Sequence, residues 1–99
     1  MAAFDDRNEA ICALLASYDD PAISRRAKNA ASDLRRYAGS GWRFEAELPQ
    51  LGESFSQRRK LQHQILSLNA GRPIAWRQML RLALQVVENS EIVIDRPLQ

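Results

Sequence analysis

The segment from residue 20 to residue 40 carries the side chains best suited to chemistry, and that chemistry is the recognition of anions. Its candidate binding residues are Arg25, Arg26, Lys28, Ser32, Arg35 and Arg36. If the segment is a helix that advances about 100° per residue, all of its basic side chains except Arg26 lie opposite the apolar face. Asp33 is the only acid within this helix. Such a row of Arg and Lys is suited to contact phosphates or an acidic protein surface, and a solvated face neutralised by acids from elsewhere in the fold is the alternative.

A second polar strip lies on the last amphipathic segment of the chain. Arg77, Gln78 and Arg81 occupy the narrow polar side of a predicted helix that is otherwise apolar. Arginine and glutamine side chains form hydrogen bonds with guanine and adenine edges in the major groove of DNA. These residues are therefore a second candidate surface for contacting DNA. The alternative is that they are ordinary solvent-exposed side chains with no binding role.

Two pairs of predicted helices resemble a helix-turn-helix unit. In the first pair, Ala13 precedes Ile23 by ten positions, a separation that suits two helices crossing closely around a tight turn. The string "PAISRR" resembles the start of a recognition helix, although Ser17 and Arg26 take places that are usually glycine and apolar. The second pair spans residues 61–84 with a longer turn, and it would be a winged variant with "EIVID" as a wing strand. The resemblance implies binding to duplex DNA.

The sequence predicts no catalytic residue, no cofactor and no metal site. His63 is the only histidine, and we expect it to point away from the apolar residues of its helix, beside Gln62 and Gln64. No serine, cysteine or carboxylate lies at local spacing to make this histidine a general base. Cys12 is the only cysteine, which excludes an intramolecular disulfide and a thiolate cluster for a metal, and its apolar neighbours predict a small buried side chain. We therefore expect that the protein is not an enzyme.

Length and composition indicate one ordinary globular domain over residues 1–99. Hydrophobic residues make up 45% of the chain and charged residues 26%, and the formal net charge is +2. The first residues lack the pattern of a signal peptide, and no apolar run approaches the roughly 20 residues that span a bilayer. We therefore expect a cytoplasmic protein that has no membrane partner.

The hydrophobic periodicity predicts an all-α protein, a compact bundle of about four helices with a short C-terminal β-strand at residues 91–95, and resembling a helix-turn-helix fold. The predicted helices are 6–18, 21–38, 56–69 and 73–88. Asp20 and Pro21 should begin the second helix and Gly39 should end it in the left-handed conformation. Between the second and third helices we expect an ordered loop in which Trp42 and Phe44 pack against the helices. Other residues expected in the core include Leu61, Ile65, Leu68, Trp76 and Leu80.

Two functional classes agree with this pattern. The first is a small DNA-binding regulatory protein that contacts duplex DNA with its basic helix face. The alternative is a protein-interaction module, an adaptor or an inhibitor, that docks its basic helix on an acidic protein partner with Trp42 or Phe44 as an aromatic anchor. In either class we expect a homodimer, because pairing would cover Val86, Val87 and the C-terminal strand with Ile92 and Ile94.

Overall fold

The structure is a computed structural model that describes the backbone of residues 2–95 and the side chains of residues 6–86. The described chain folds into helices and contains no strand, which confirms the all-α class. The helices are α1 (Ala2–Ala16), α2 (Ile23–Ala38), α3 (Trp42–Glu45), α4 (Gln57–Leu68) and α5 (Trp76–Asp95).

The core lies where α1 and α2 pack against α4 and α5. α4 packs mainly against α1, whereas α5 packs against both α1 and α2. Among the largest fully buried side chains are Ile11, Leu14, Leu34, Ile65 and Met79. The buried face of α2 also carries several alanines, and side chains this small allow a neighbouring helix to approach closely.

The ends of the first two helices differ from the predicted bounds. α1 begins at Ala2 and ends at Ala16, before Tyr18, where the Ser17 hydroxyl donates a hydrogen bond to the Leu14 carbonyl at 2.6 Å. α2 begins at Ile23 because the Asp20 carboxylate accepts a hydrogen bond from the Ala22 amide at 2.8 Å. This Asx turn leaves Asp20 and Pro21 outside the helix.

The segment after α2 forms a short helix where we predicted a loop. Gly39 has φ −89° and ψ −3°, so it is right-handed, and the prediction of a left-handed cap is wrong. Gly41 is also in the right-handed helical region. The backbone therefore stays in the right-handed helical region at both glycines, and α3 begins at Trp42.

The start and end of α4 follow sequence signals. The Ser56 side chain accepts a hydrogen bond from the Arg59 amide at 3.2 Å and so caps the start of α4. At the other end Ala70 and Gly71 both have positive φ, 58° and 76°, and the Gly71 amide donates to the Leu66 carbonyl at 2.7 Å. This pattern of a Schellman type ends the helix.

The last helix is later and longer than predicted. α5 begins at Trp76 instead of Pro73 and continues beyond Glu88 to Asp95, so the described backbone of residues 91–95 is helical and not a β-strand. No glycine or proline interrupts residues 76–95, so the sequence permits one continuous helix there. Trp76 and Leu80 lie partly buried at the edge of the core. The side chains proposed for the dimer contact at Val87, Ile92 and Ile94 lie outside the described side chains.

Candidate functional site

The basic face of α2 is exposed to solvent as predicted. Arg25, Lys28, Arg35 and Arg36 are all exposed, with 71% of the Arg25 side chain and 76% of the Arg36 side chain accessible. Because this face carries four exposed cations along one helix, it can contact an extended anion.

Two of these arginines have acidic neighbours in the structure. Arg25 Nη1 lies 3.7 Å from Asp20 Oδ2, and Arg36 Nη1 lies 3.6 Å from Asp33 Oδ1. Exposed ion pairs of this length contribute little free energy. Both guanidinium groups can therefore exchange these carboxylates for an external anion.

Arg26 and Ser32 take a different position from the rest of the set. Both are only partly exposed, and Arg26 donates a hydrogen bond from Nε to the Asp20 carbonyl. Asp33, one residue after Ser32, accepts a hydrogen bond from the Tyr18 hydroxyl at 2.6 Å. Arg26 thus stabilises the turn before α2, and neither Arg26 nor Ser32 belongs to the fully exposed basic face.

The structure brings one cation of each predicted basic strip to the Trp76 ring. Lys28 Nζ on α2 lies 4.9 Å from the centroid of the Trp76 ring, and Arg77 Cζ on α5 lies 5.2 Å from it. Both distances are within the range of cation–π attraction. We call the combined set the α2–α5 basic surface. It consists of Arg25, Lys28, Arg35, Arg36, Arg77, Gln78 and Arg81, all of them exposed.

The first helix pair lacks the close crossing of a helix-turn-helix unit. Ala13 and Ile23, the residues expected at the crossing, are both exposed, and Ile23 is 51% accessible. The connection from Ser17 to Ala22 is also longer than the turn of about three or four residues that the motif uses. The structure therefore does not support the resemblance at this pair.

The second helix pair also departs from the motif. In the part of the chain that the structure describes, α4 packs mainly against α1 and α5 packs mainly against α1 and α2, so α4 and α5 are not each other's main packing partners. The segment from Asn69 to Ala75 connects them, and the predicted wing strand is helical within α5. The α2–α5 basic surface thus belongs to two packed helices that are not consecutive in the chain.

The sequence patterns did not indicate the partly buried polar cluster that surrounds Glu45. The Tyr37 hydroxyl donates to Glu45 Oε1 at 2.5 Å, and Arg59 donates from Nε to Oε1 at 3.3 Å and from Nη2 to Oε2 at 3.0 Å. His63 Nε2 lies 2.9 Å from the Glu45 carbonyl oxygen. Because a carbonyl can only accept, this ring nitrogen carries the proton. We call Tyr37, Glu45, Arg59 and His63 the Glu45 cluster.

The position of His63 corrects the expectation that it faces solvent. Its side chain is only 2% exposed, and its ring contacts Trp42 edge to face with the centroids 5.3 Å apart. Arg59, His63 and Leu66 follow each other at spacings of four and three, which is the sequence signal for a second buried face on α4. This second face receives α3, and Leu66, rather than the partly exposed Leu68, is fully buried.

The electrostatics of the Glu45 cluster favour the charged pair. Burial of the Glu45 carboxylate favours its neutral form, but hydrogen bonds from Arg59 and Tyr37 and the charge of Arg59 outweigh this effect and hold its pKa below the ordinary value. The hydrogen bond to Glu45 raises the pKa of Arg59, and burial together with the hydrogen bond to Glu45 raises the pKa of Tyr37. The cluster fixes α3 against α2 and α4.

The two aromatic residues of α3, Trp42 and Phe44, differ sharply in their exposure to solvent. Trp42 packs against the core as expected, but Phe44 is 86% exposed, so the expectation that it packs against the helices is wrong. Residues two apart on a helix point in different directions, and the Glu45 cluster fixes which side of α3 faces inward. Phe44 therefore projects into solvent, whereas Trp42 and Glu45 on the same short helix contact the rest of the protein.

Cys12, expected as a buried side chain, is half-buried. Its thiol lies 3.8 Å from the Ala83 carbonyl, where it can donate a weak hydrogen bond between α1 and α5. Burial, with a smaller contribution from Glu9, raises the pKa of this thiol.

Within the described residues, no three or more His, Cys, Asp or Glu side chains come together as a possible metal site. The same part of the chain contains no helix with the length and apolar character needed to cross a membrane. No family model, no curated protein and no solved structure matches this chain. Its function must therefore be inferred from its own geometry.

Proposed function

We propose that this protein binds duplex DNA through the α2–α5 basic surface and acts as a small regulatory protein. The observation that carries the proposal is the position of Lys28 and Arg77 over one Trp76 ring, because it joins two exposed basic strips from different helices. Phosphate contacts from Arg and Lys supply most of the affinity of such a surface.

The side chains of the surface divide into two roles. Arg25, Lys28 and Arg35 follow one face of α2 and can contact successive phosphates, and Arg77 extends that set onto α5. Gln78 is the exposed neutral side chain that could hydrogen-bond a base edge. Binding should therefore depend strongly on salt and only weakly on DNA sequence, without a recognition helix inserted in the manner of a helix-turn-helix.

An acidic protein surface is the second candidate partner. It is favoured by the carboxylates of Asp20 and Asp33, which already lie 3.7 Å and 3.6 Å from guanidinium groups of the surface. Of the two aromatic anchors considered for this class, Trp42 is packed against the core, so only Phe44 is accessible to a partner.

A salt-dependent titration of the protein into labelled non-specific duplex DNA tests the proposal. For DNA binding, log affinity should fall linearly with log salt, with a slope of about −0.9 for each phosphate neutralised. The triple variant Arg25→Ala, Lys28→Ala, Arg35→Ala should flatten this slope. The double variant Arg77→Ala, Arg81→Ala should flatten it too, because both strips belong to one surface.

A matched control comes from arginines that are exposed elsewhere on the molecule. Arg43 lies on α3 and Arg72 lies between α4 and α5, and both are exposed. The double variant Arg43→Ala, Arg72→Ala removes the same charge as the α5 variant and should keep the wild-type slope. No binding at about 50 mM salt would exclude DNA and leave the acidic protein partner, since even non-specific contacts are strong there.

A further inference from the structure

Gln62 is a buried polar side chain whose amide has no partner among the described residues. The residue is only 7% exposed, and its side chain forms no hydrogen bond within the described part of the chain. In that part, every fully buried side-chain nitrogen or oxygen has a hydrogen-bond partner. The Gln62 amide atoms must therefore reach the surface, in the depression that this side chain lines between α2 and α4. Buried polar groups are normally paired, so this amide is free to bind a ligand.

The same depression presents two guanidinium groups from different helices. Its lining includes Asp33, Arg36, Tyr37, Ser40, Arg59 and Gln62. Arg36 is exposed, and its ion pair with Asp33 is long, with 3.6 Å between Nη1 and Oδ1. Arg59 uses Nε and Nη2 to bind Glu45, and its Nη1 donates to no described residue. Both guanidinium groups therefore keep N–H donors for an anion.

The Arg59 guanidinium is held in a fixed position beside the depression. Its Cζ atom lies 4.6 Å from the centroid of the Tyr37 ring, and the two hydrogen bonds to Glu45 fix the plane of the group. Gly41 provides the necessary space, because a Cβ atom at this position would overlap the guanidinium. A donor that is fixed in advance loses little conformational freedom when a ligand binds.

We infer that this depression, which we call the α2–α4 site, binds a terminal phosphate group, either free phosphate or a phosphate monoester. Such a group presents three acceptor oxygens. Donors are available from Arg36, from Arg59 Nη1 and from the Gln62 amide. A phosphodiester of the DNA backbone has fewer free oxygens and a single negative charge, so it fits these donors less well.

Asp33 is the carboxylate among the described residues that line the α2–α4 site. Its Oδ2 accepts a hydrogen bond from the Tyr18 hydroxyl at 2.6 Å, and this bond remains when Arg36 turns from Asp33 to a phosphate. Glu45 pairs with Arg59 from outside the lining. The site shares Arg36 with the α2–α5 basic surface but takes its other two donors from α4, so the inference is independent of binding to duplex DNA.

An NMR titration of the full chain with methyl phosphate at low salt and about pH 8 tests the inference, because this monoester then carries two negative charges. Dimethyl phosphate is the matched diester probe and should bind several-fold more weakly. Methyl phosphate should shift the side-chain amide signals of Gln62. Gln62→Leu should weaken the Kd about tenfold or more, the effect of losing a hydrogen bond to a charged group. Arg36→Ala should weaken it comparably.

Gln64→Leu is the matched control, since it makes the same change at an exposed position on the same helix and should leave the Kd unchanged. Because the Gln62 amide has no partner among the described residues and Arg36 is exposed, both site variants should keep the wild-type helical circular dichroism. Gln62→Leu should also keep the salt slope of duplex DNA binding. The α2–α4 site and the α2–α5 basic surface can therefore fail separately.

A wild-type protein that does not bind methyl phosphate would overturn the inference. So would equal affinity for the two probes, an unchanged Kd in Gln62→Leu, or an equal loss of affinity in Gln64→Leu. Shifts confined to the Trp76 indole N–H and to α5 would also overturn it, because the phosphate would then lie on the α2–α5 basic surface.

Discussion

Arg59 holds Glu45 through two N–H···O hydrogen bonds, from Nε to Oε1 at 3.3 Å and from Nη2 to Oε2 at 3.0 Å. Only 13% of the Glu45 side chain and 37% of the Arg59 side chain are exposed. Because Glu45 is largely buried and accepts two hydrogen bonds from Arg59, this bidentate pair is stronger and more specific in geometry than an ion pair that is fully exposed. It joins α3 to α4 across a separation of fourteen residues in the chain.

The lowered pKa of Glu45 predicts a loss of stability in acid. Its folded-state pKa lies below its ordinary value of 4.5, so its stabilising contribution is fully present above about pH 4.5 and is lost as the pH falls through the folded-state value. Glu45→Gln should therefore lower the free energy of unfolding at neutral pH, and its difference from the wild type should shrink below pH 4.5. Urea unfolding at a series of pH values measures this effect.

Glu47→Gln is the control for that experiment. Glu47 is exposed two residues further along the chain. Its substitution should leave the pH dependence of unfolding close to that of the wild type. An equal effect of both substitutions would mean that total charge, and not the Glu45 cluster, sets the acid stability.

The loss of stability on truncating a side chain of α5 should depend on how deeply that side chain is buried. Met79 is fully buried, whereas Leu80 is only partly buried at the edge of the core. Met79→Ala should lower the free energy of unfolding by about 2–5 kcal/mol through lost burial and the cavity left behind. Leu80→Ala should have a smaller effect, and urea denaturation of both variants measures the difference. The reverse order would place the buried stripe of α5 one residue further along.

The turn after α4 should respond in opposite ways to two substitutions. Ala70 has φ 58°, a conformation that favours glycine, so Ala70→Gly should raise the free energy of unfolding by about 0.5–1 kcal/mol. Gly71 has φ 76°, and a Cβ placed there would lie 3.3 Å from Trp42 Nε1. Gly71→Ala should therefore lower the free energy of unfolding by about 1–2 kcal/mol. Urea unfolding measures both changes, and a stabilising Gly71→Ala would contradict this account of the turn.

The parts of the fold that the sequence predicted are those set by local pattern. The apolar residues of α2 recur with helical spacing, and Ser56 stands directly before α4, so helix positions followed from short stretches of chain. The predicted start of α2 was wrong because the hydrogen bond between Asp20 and Ala22 forms a turn where we expected helix. An Asp-Pro pair favours a turn as well as a helix start, so the local sequence did not decide between the two.

The Glu45 cluster and the α2–α5 basic surface depend on contacts between distant residues. Tyr37 and His63 lie on different helices, and both contact Glu45 because α3 packs against those two helices. Lys28 and Arg77 are likewise far apart in the chain, and each strip was recognised in the sequence without its neighbour. Periodicity gives the face of each helix, but it does not say which faces come together.

Trp76 should report anion binding at the α2–α5 basic surface. Lys28 and Arg77 both lie over its ring, so a phosphate that draws either cation away changes the surroundings of the indole. The chain contains two tryptophans, and the other, Trp42, packs beside His63 on α3. A titration of the wild type with non-specific duplex DNA at low salt should therefore change the tryptophan emission. The same titration of Trp76→Phe, in which only Trp42 emits, should change it little. If the two proteins respond equally while DNA binds, the bound surface lies near α3 and the assignment to α2 and α5 is wrong.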